Sequence, residues 1–151
     1  MFQIMIINGP NLNMLGVREP EIYGDNGFDE YLQALQKEFE GIADITYRQS
    51  NVEGELINYL QDAHKEGYDG VVLNAGGYTH TSVAIRDAIA AIRPPVVEVH
   101  ISNIYAREEF RRNSLLSPVC HGVVCGMGLE GYRYAILSFT DQLLSRHLCN
   151  R

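Results

Sequence analysis

Several ingredients of common enzyme chemistry are scarce in this sequence. There are only two lysines, Lys37 and Lys65, each on the polar side of a predicted surface helix. A Schiff-base mechanism wants a desolvated lysine beside its ligand, and neither qualifies. Three cysteines, Cys120, Cys125 and Cys149, make no disulfide framework. No local partner completes a zinc site with them, so buried, reduced thiols are expected. No G-x-x-x-x-G-K-[ST] is present, and the dinucleotide signature G-x-G-x-x-G is expected to be missing as well. That run does not end in an acidic pair for magnesium, and neither H-E-x-x-H nor a paired C-x-x-C is present. Expected chemistry is therefore free of metal and cofactor. No apolar stretch approaches the roughly 20 residues of a membrane span. No basic run occurs either. Twelve basic and 19 acidic residues give a net charge of −7 with histidine neutral, a poor match to nucleic acid or an anionic membrane. The opening Met1-Phe2-Gln3-Ile4-Met5-Ile6-Ile7-Asn8 lacks a cationic lead and reads as a strand rather than a signal peptide. A cytoplasmic protein is expected.

What is present alternates regularly. The 151 residues suit one domain, 1–151, with 46% hydrophobic and 21% charged residues, an ordinary globular balance. Short apolar runs at 4–7, 45–47, 71–73, 96–99 and 123–124 predict five strands. Helical spacing predicts helices around Phe28–Phe39, Leu56–Ala63, Ile85–Ile92 and Tyr132–Leu143. Strict alternation implies a parallel sheet covered on both faces. The expected fold class is α/β, a flavodoxin-like doubly wound five-stranded sheet of order 2-1-3-4-5. Ligands bind such sheets beyond the carboxyl ends of the strands. There, residues 9–27 form a connection far longer than the usual 2–6 residues. It carries apolar residues, Arg18 and Tyr23, and a mobile catalytic lid is the expectation. A disordered insertion is the alternative.

Polar residues gather after three strands. Strand one ends at Asn8 and leads to Asn11. Strand three leads into Asn74, Gly76, Gly77 and His80, and strand four into His100, Ile101, Ser102, Arg107 and Arg111. Glu98 and His100, two apart on a strand, share a face. A carboxylate there fixes the imidazole's tautomer, favours the imidazolium and suits general acid work. A purely structural bond is the alternative. His80 stands near the start of the third helix, either among N-capping hydroxyls or beside free N–H groups that receive a polar ligand. The Gly76-Gly77 pair lets backbone approach a ligand closely. Ile101-Ser102 precedes a predicted helix whose start is a carboxylate site. Arg107 and Arg111 are expected on one face of that helix, for the ligand or for salt bridges. Tyr23, with a reference pKa of about 10, becomes a base only if a guanidinium such as Arg18 favours its phenolate. Otherwise it is packing. A flavodoxin-like module that binds a nucleotide or small anion without catalysis is the competing class.

Taken together, these segments resemble the type II 3-dehydroquinate dehydratases. The resemblance rests on residues 8–20 (NGPNLNMLGVREP) with Ile22-Tyr23-Gly24, and on Arg48-Gln49-Ser50-Asn51 with Glu53-Gly54-Glu55. It continues through 74–87 (NAGGYTHTSVAIRD), then 98–103 with 106–111, and closes with Ser117-Pro118 and 122–132. Met14, Ala75-Gly76-Gly77 and Tyr105 depart from the commoner family residues, and none removes a catalytic side chain.

The resemblance implies anti elimination of water from 3-dehydroquinate, through an enolate, to give 3-dehydroshikimate. It implies Tyr23 as the base, with Arg18 lowering its pKa. Asn11 with a water would stabilise the enolate, and His100 would be the acid that Glu98 orients. Ile101 and Ser102 would hold the carboxylate. Asn74, His80, Asp87 and Arg111 would hold ring hydroxyls, and Arg107 would position the lid. The family assembles as trimers packed into dodecamers, so a homo-oligomer is expected. Aromatic biosynthesis by the shikimate route and quinate breakdown both use this reaction.

Overall fold

The computed structural model describes residues 1–16 and 27–141. Arg18, Tyr23, Leu143 and Cys149 therefore lie outside the described residues, as does most of the expected lid.

Among the described residues nine strands and α-helices follow one another: β1 (Phe2–Asn8), α1 (Phe28–Glu38), β2 (Ala43–Gln49), α2 (Glu53–Lys65), β3 (Gly70–Asn74), α3 (Val83–Ala91), β4 (Val96–His100), β5 (Gly122–Cys125) and α4 (Glu130–Thr140). All strand pairings are parallel and the order is β2-β1-β3-β4-β5. This is the expected flavodoxin-like sheet.

Period-two alternation sorts the core. Ile4, Ile6, Val72, Val97 and Val99 pack on one face against Phe28, Leu32 and Leu35 of α1 and Tyr132, Ala135 and Ile136 of α4. Met5, Ile7, Val71, Leu73 and Val96 pack on the other against Leu56, Leu60 and Ala63 of α2 and Ile85, Ala88 and Ile89 of α3. Burying both faces explains why the central strands are nearly continuous hydrophobic runs. Register then aligns the strand ends. Asn8 is level with Gln49 and Asn74, and His100 is level with Cys125. Hydrophobic through most of their length, β1, β3 and β4 thus end in polar residues along one rim of the sheet.

One expectation fails locally, and one pair of alternatives is decided. The predicted helix carrying Arg107 and Arg111 is instead two 3-10 turns, Ile104–Ala106 and Glu109–Arg112, with Arg107 extended between them at φ −103°. Of this stretch only Ile104 is buried, while Tyr105 and Phe110 are 60% and 64% exposed. No apolar stripe exists to hold an α-helix on the core. His80 stands just before α3, and of its two readings the capping hydroxyl holds. The histidine ends a separate 3-10 turn, Gly76–His80, and α3 is capped by Ser82, whose Oγ accepts the Ile85 N–H at 2.9 Å. Of the described cysteines, Cys120 and Cys125 are only half-buried rather than buried, and both are free thiols. No described helix is long and apolar enough to cross a membrane.

Candidate active site

The carboxyl ends of β1, β3 and β4 surround one cavity of about 180 Å³. Asn11 lines it beyond β1, and Asn74, Gly76, Gly77 and His80 line it at the end of β3. His100, Ile101, Ser102, Arg107 and Arg111 complete the polar lining beyond β4. Leu12, Met14 and Leu15 add an apolar wall that the polar pattern gave no reason to expect. Glu98 stands behind His100. Asp87 is exposed on α3 and does not line the cavity of its own chain. The start of α3 does not line it either, so the expected ligand site at that helix N-terminus is not formed.

Strand geometry puts Glu98 and His100 on one face, as their spacing requires. His100 Nε2 lies 2.5 Å from Glu98 Oε2, and both side chains are buried. Glu98 Oε1 accepts hydrogen bonds from Ser114 Oγ at 3.0 Å and Ser117 Oγ at 2.8 Å. Burial is the largest single influence on Glu98 and disfavours its charge. The bond and charge of His100, then the bonds from Ser117 and Ser114, outweigh it and hold the carboxyl below the usual range. A carboxylate at Nε2 leaves Nδ1 as the imidazole nitrogen available to a ligand. The structural bond and the cavity position thus coexist in one histidine.

His80 is oriented from the opposite side. Its Nδ1 donates to the Asn113 carbonyl at 2.8 Å, so Nε2 remains for a ligand. The His80 and His100 rings lie 6.5 Å apart with planes 20° from parallel.

Beneath the cavity runs a polar chain that sequence reasoning missed. Tyr132 of α4 is fully buried, and its hydroxyl donates to Asn8 Oδ1 at 2.7 Å. The same hydroxyl accepts from Asn74 Nδ2 at 2.9 Å. Asn74 Oδ1 in turn accepts the Gly76 N–H at 3.2 Å. The ends of β1 and β3 are thereby tied to α4, and Asn74 is held at the cavity by both ends of its amide. Burial is the main reason the Tyr132 phenol is raised well above its ordinary pKa, so it stays protonated. Two asparagines at the ends of neighbouring strands were the available sequence signal.

The loop after β1 is held just as firmly. Asn11 adopts the left-handed conformation at φ 71°, tolerable for asparagine. Its N–H donates to Asn51 Oδ1 at 3.0 Å, while Gln49 Nε2 donates to the Gly9 carbonyl at 3.2 Å. A Cβ on Gly9 would stand 2.7 Å from the Ala75 oxygen, so the two cavity loops touch only because that residue is glycine.

Arg107 Nη1 donates to Ser102 Oγ at 3.3 Å. Arg111 Nε pairs with Glu108 at 2.7 Å and Arg107 Nε lies 3.9 Å from the same carboxylate. The salt-bridge reading and the cavity reading of these arginines therefore both hold.

One G-x-G-x-x-G pattern does occur, at 126–131 between β5 and α4. Its backbone is already committed. Gly126 and Gly128 donate their N–H groups to the carbonyls of His100 and Ile101, and a Cβ on Gly131 would lie 3.2 Å from Val99. These glycines seat β4 against α4 and leave the first two amides no free proton for a pyrophosphate. Among the described residues no His, Cys, Asp and Glu side chains are grouped to hold a metal ion.

Comparison with known proteins bears on this cavity. The family model described as dehydroquinase class II matches residues 2–140. A 3-dehydroquinate dehydratase of Fusobacterium nucleatum is 52% identical over 138 residues, covering 89% of this chain and 94% of that one. One from an Exiguobacterium species is 51% identical over 145 residues, covering 96% and 99%. The crystal structure of a type II dehydroquinase from Butyrivibrio crossotus superposes with a TM-score of 0.86 at 45% identity, covering 89% of this chain and 94% of that one.

Proposed function

The chain belongs to the class II dehydroquinases and is a hydro-lyase, and on that premise we propose that it removes water from 3-dehydroquinate by anti elimination through an enolate. The observation that carries this reading is the buried Glu98–His100 pair, facing a cavity whose lining contains no lysine. An imidazole paired with a carboxylate suits the acid, and among the described residues of the lining there is no lysine amine to form an imine.

Tyr23, as a phenolate beside the Arg18 guanidinium, takes the C2 proton. The electron pair moves to the C3 oxygen, where Asn11 and a water stabilise the enolate. His100 then gives its Nδ1 proton to the C1 hydroxyl. The enolate then collapses: the C3 carbonyl re-forms, the C2=C3 pair becomes the C1=C2 bond, and the C1–O bond breaks with its electron pair on the departing water. Glu98 keeps the imidazolium oriented throughout.

Ile101 backbone and Ser102 hold the substrate carboxylate, and Asn74, His80 and Arg111 hold ring hydroxyls. Gly76 and Gly77 offer close backbone approach, and Arg107 positions the loop that carries Tyr23. The segment 9–27 serves as the lid of a single catalytic domain. The protein works as trimers packed into a dodecamer. Apolar surface at Val83, Tyr105, Phe110 and Met127 suits such contacts. Asp87, off its own cavity, serves a site only in a neighbouring copy.

Stereochemistry tests this sequence of steps. With 3-dehydroquinate deuterated at C2 on the face opposite the C1 hydroxyl, the product is expected to have lost its deuterium to solvent. With the label on the same face as that hydroxyl, the product is expected to retain it. Retention in the first case, or trapping of a covalent adduct by borohydride, would contradict the proposal.

A further inference from the structure

We propose that Ser114 and Ser117 are positioning residues for the acid: they clamp Glu98 so that His100 presents its proton at Nδ1. This rests on the assignment of His100 as the acid. Neither serine lines the cavity, so both would act only through Glu98.

The hydrogen bonds leave Ser114 little choice. Its Oγ accepts the N–H groups of Leu116 at 3.1 Å and Ser117 at 3.0 Å. A hydroxyl has two acceptor positions and one proton. With both acceptor positions used, the proton is directed to Glu98 Oε1 at 3.0 Å. Ser117 Oγ donates to the same oxygen at 2.8 Å. One carboxylate oxygen thus receives two hydroxyl donors, and the other receives His100 Nε2. The backbone turn 114–117 fixes the serines, the serines fix the carboxylate plane, and that plane fixes the ring.

The arrangement also decides where a shared proton resides. A protonated Glu98 would donate to Nε2 and leave the imidazole neutral, a weak acid towards the departing hydroxyl. Donors on Oε1 favour the carboxylate form of Glu98, so Oε2 accepts from Nε2 and Nδ1 is the nitrogen that carries the proton to the departing hydroxyl. The nearby Cys120 thiol does not compete. Burial, and then the charge of Glu98, push it up to about 12, so it remains neutral.

Ser117→Ala is the cleaner test, because Ser114 also supports the backbone turn. We expect kcat to fall about 10-fold in Ser117→Ala, part of the roughly 10²–10⁴-fold that a positioned acid contributes. KM should stay within about 2-fold, as expected when an interaction acts in the transition state alone. Ser117→Thr, which keeps the hydroxyl, should recover most of the loss. Nitrogen NMR of the neutral His100 ring, assigned by difference from His100→Ala, should show the Nε2–H tautomer in wild type and a mixture in Ser117→Ala.

Wild-type kcat in both Ser117→Ala and Ser114→Ala would overturn the inference. So would a loss that Ser117→Thr does not rescue, or an unchanged tautomer in Ser117→Ala. The His100→Ala variant separates the two claims. If it is inactive while Ser117→Ala is unaffected, only the role of the serines is wrong. If His100→Ala itself turns over normally, the assignment of the acid is wrong, and the serines position no acid.

Discussion

Replacing His100 with alanine is expected to lower kcat by roughly 10²–10⁴-fold, the usual contribution of a positioned general acid. The leaving group is a hydroxyl, which does not depart as an anion at a useful rate. His100 is the imidazole on the cavity wall whose partner is a buried carboxylate, and alanine supplies no proton. KM should change by no more than about 3-fold, because the interaction is made chiefly with the departing oxygen. Some stability is lost as well. Glu98 keeps its two serine donors but loses the partner on its other oxygen, and an unpaired buried group costs about 1–3 kcal/mol. Steady-state kinetics well below the unfolding temperature distinguish the two effects. A kcat within about 3-fold of wild type would remove His100 from the chemistry.

Tyr132→Phe is expected to be the most damaging of the single-atom deletions in the core, at about 2–6 kcal/mol. The hydroxyl is fully buried and serves Asn8 Oδ1 at 2.7 Å and Asn74 Nδ2 at 2.9 Å. Phenylalanine keeps the packing of the ring but strands an acceptor and a donor in the sheet. Each costs roughly 1–3 kcal/mol when buried without a partner. The denaturant midpoint should fall with an unchanged slope, since the same surface is exposed on unfolding. KM should rise too, because Asn74 loses one of the two bonds that hold it at the cavity. A stability change below about 0.5 kcal/mol, the range of ordinary surface substitutions, would show that the network has another way to satisfy these groups.

Much of this architecture could be read from the chain. Alternation of Ile4 and Ile6 with Met5 and Ile7 marks a strand buried on both faces. The polar residues Asn8, Asn74 and His100 at the ends of such strands then mark the rim that carries a site. Glu98 and His100 were legible because a spacing of two on a strand is a contact by geometry alone. Elements that depend on distant partners were not legible. Asn8 and Tyr132 meet across 124 positions, and Glu98 meets Ser114 and Ser117 only after the chain has left β4 and turned back. The arginine pair misled for a local reason. A spacing of four implies one face only if a helix forms, and exposed Tyr105 and Phe110 give that segment nothing to pack. Near His80 the capping alternative held, since Ser82 takes the cap and the histidine reaches the cavity from the preceding turn rather than from a helix N-terminus. The 126–131 glycines carry the dinucleotide pattern, but their first two amides already serve β4. Arg18 and Tyr23 rest on the family resemblance, being outside the described residues.

The most direct measurement is turnover itself. Purified protein treated with a chelator is mixed with 3-dehydroquinate, and the ultraviolet absorbance of the conjugated product is followed. Prompt, saturable growth of the enone band is the predicted result. A folded protein that binds 3-dehydroquinate and forms no enone would contradict the account, leaving a binder of small anions built on a dehydratase scaffold.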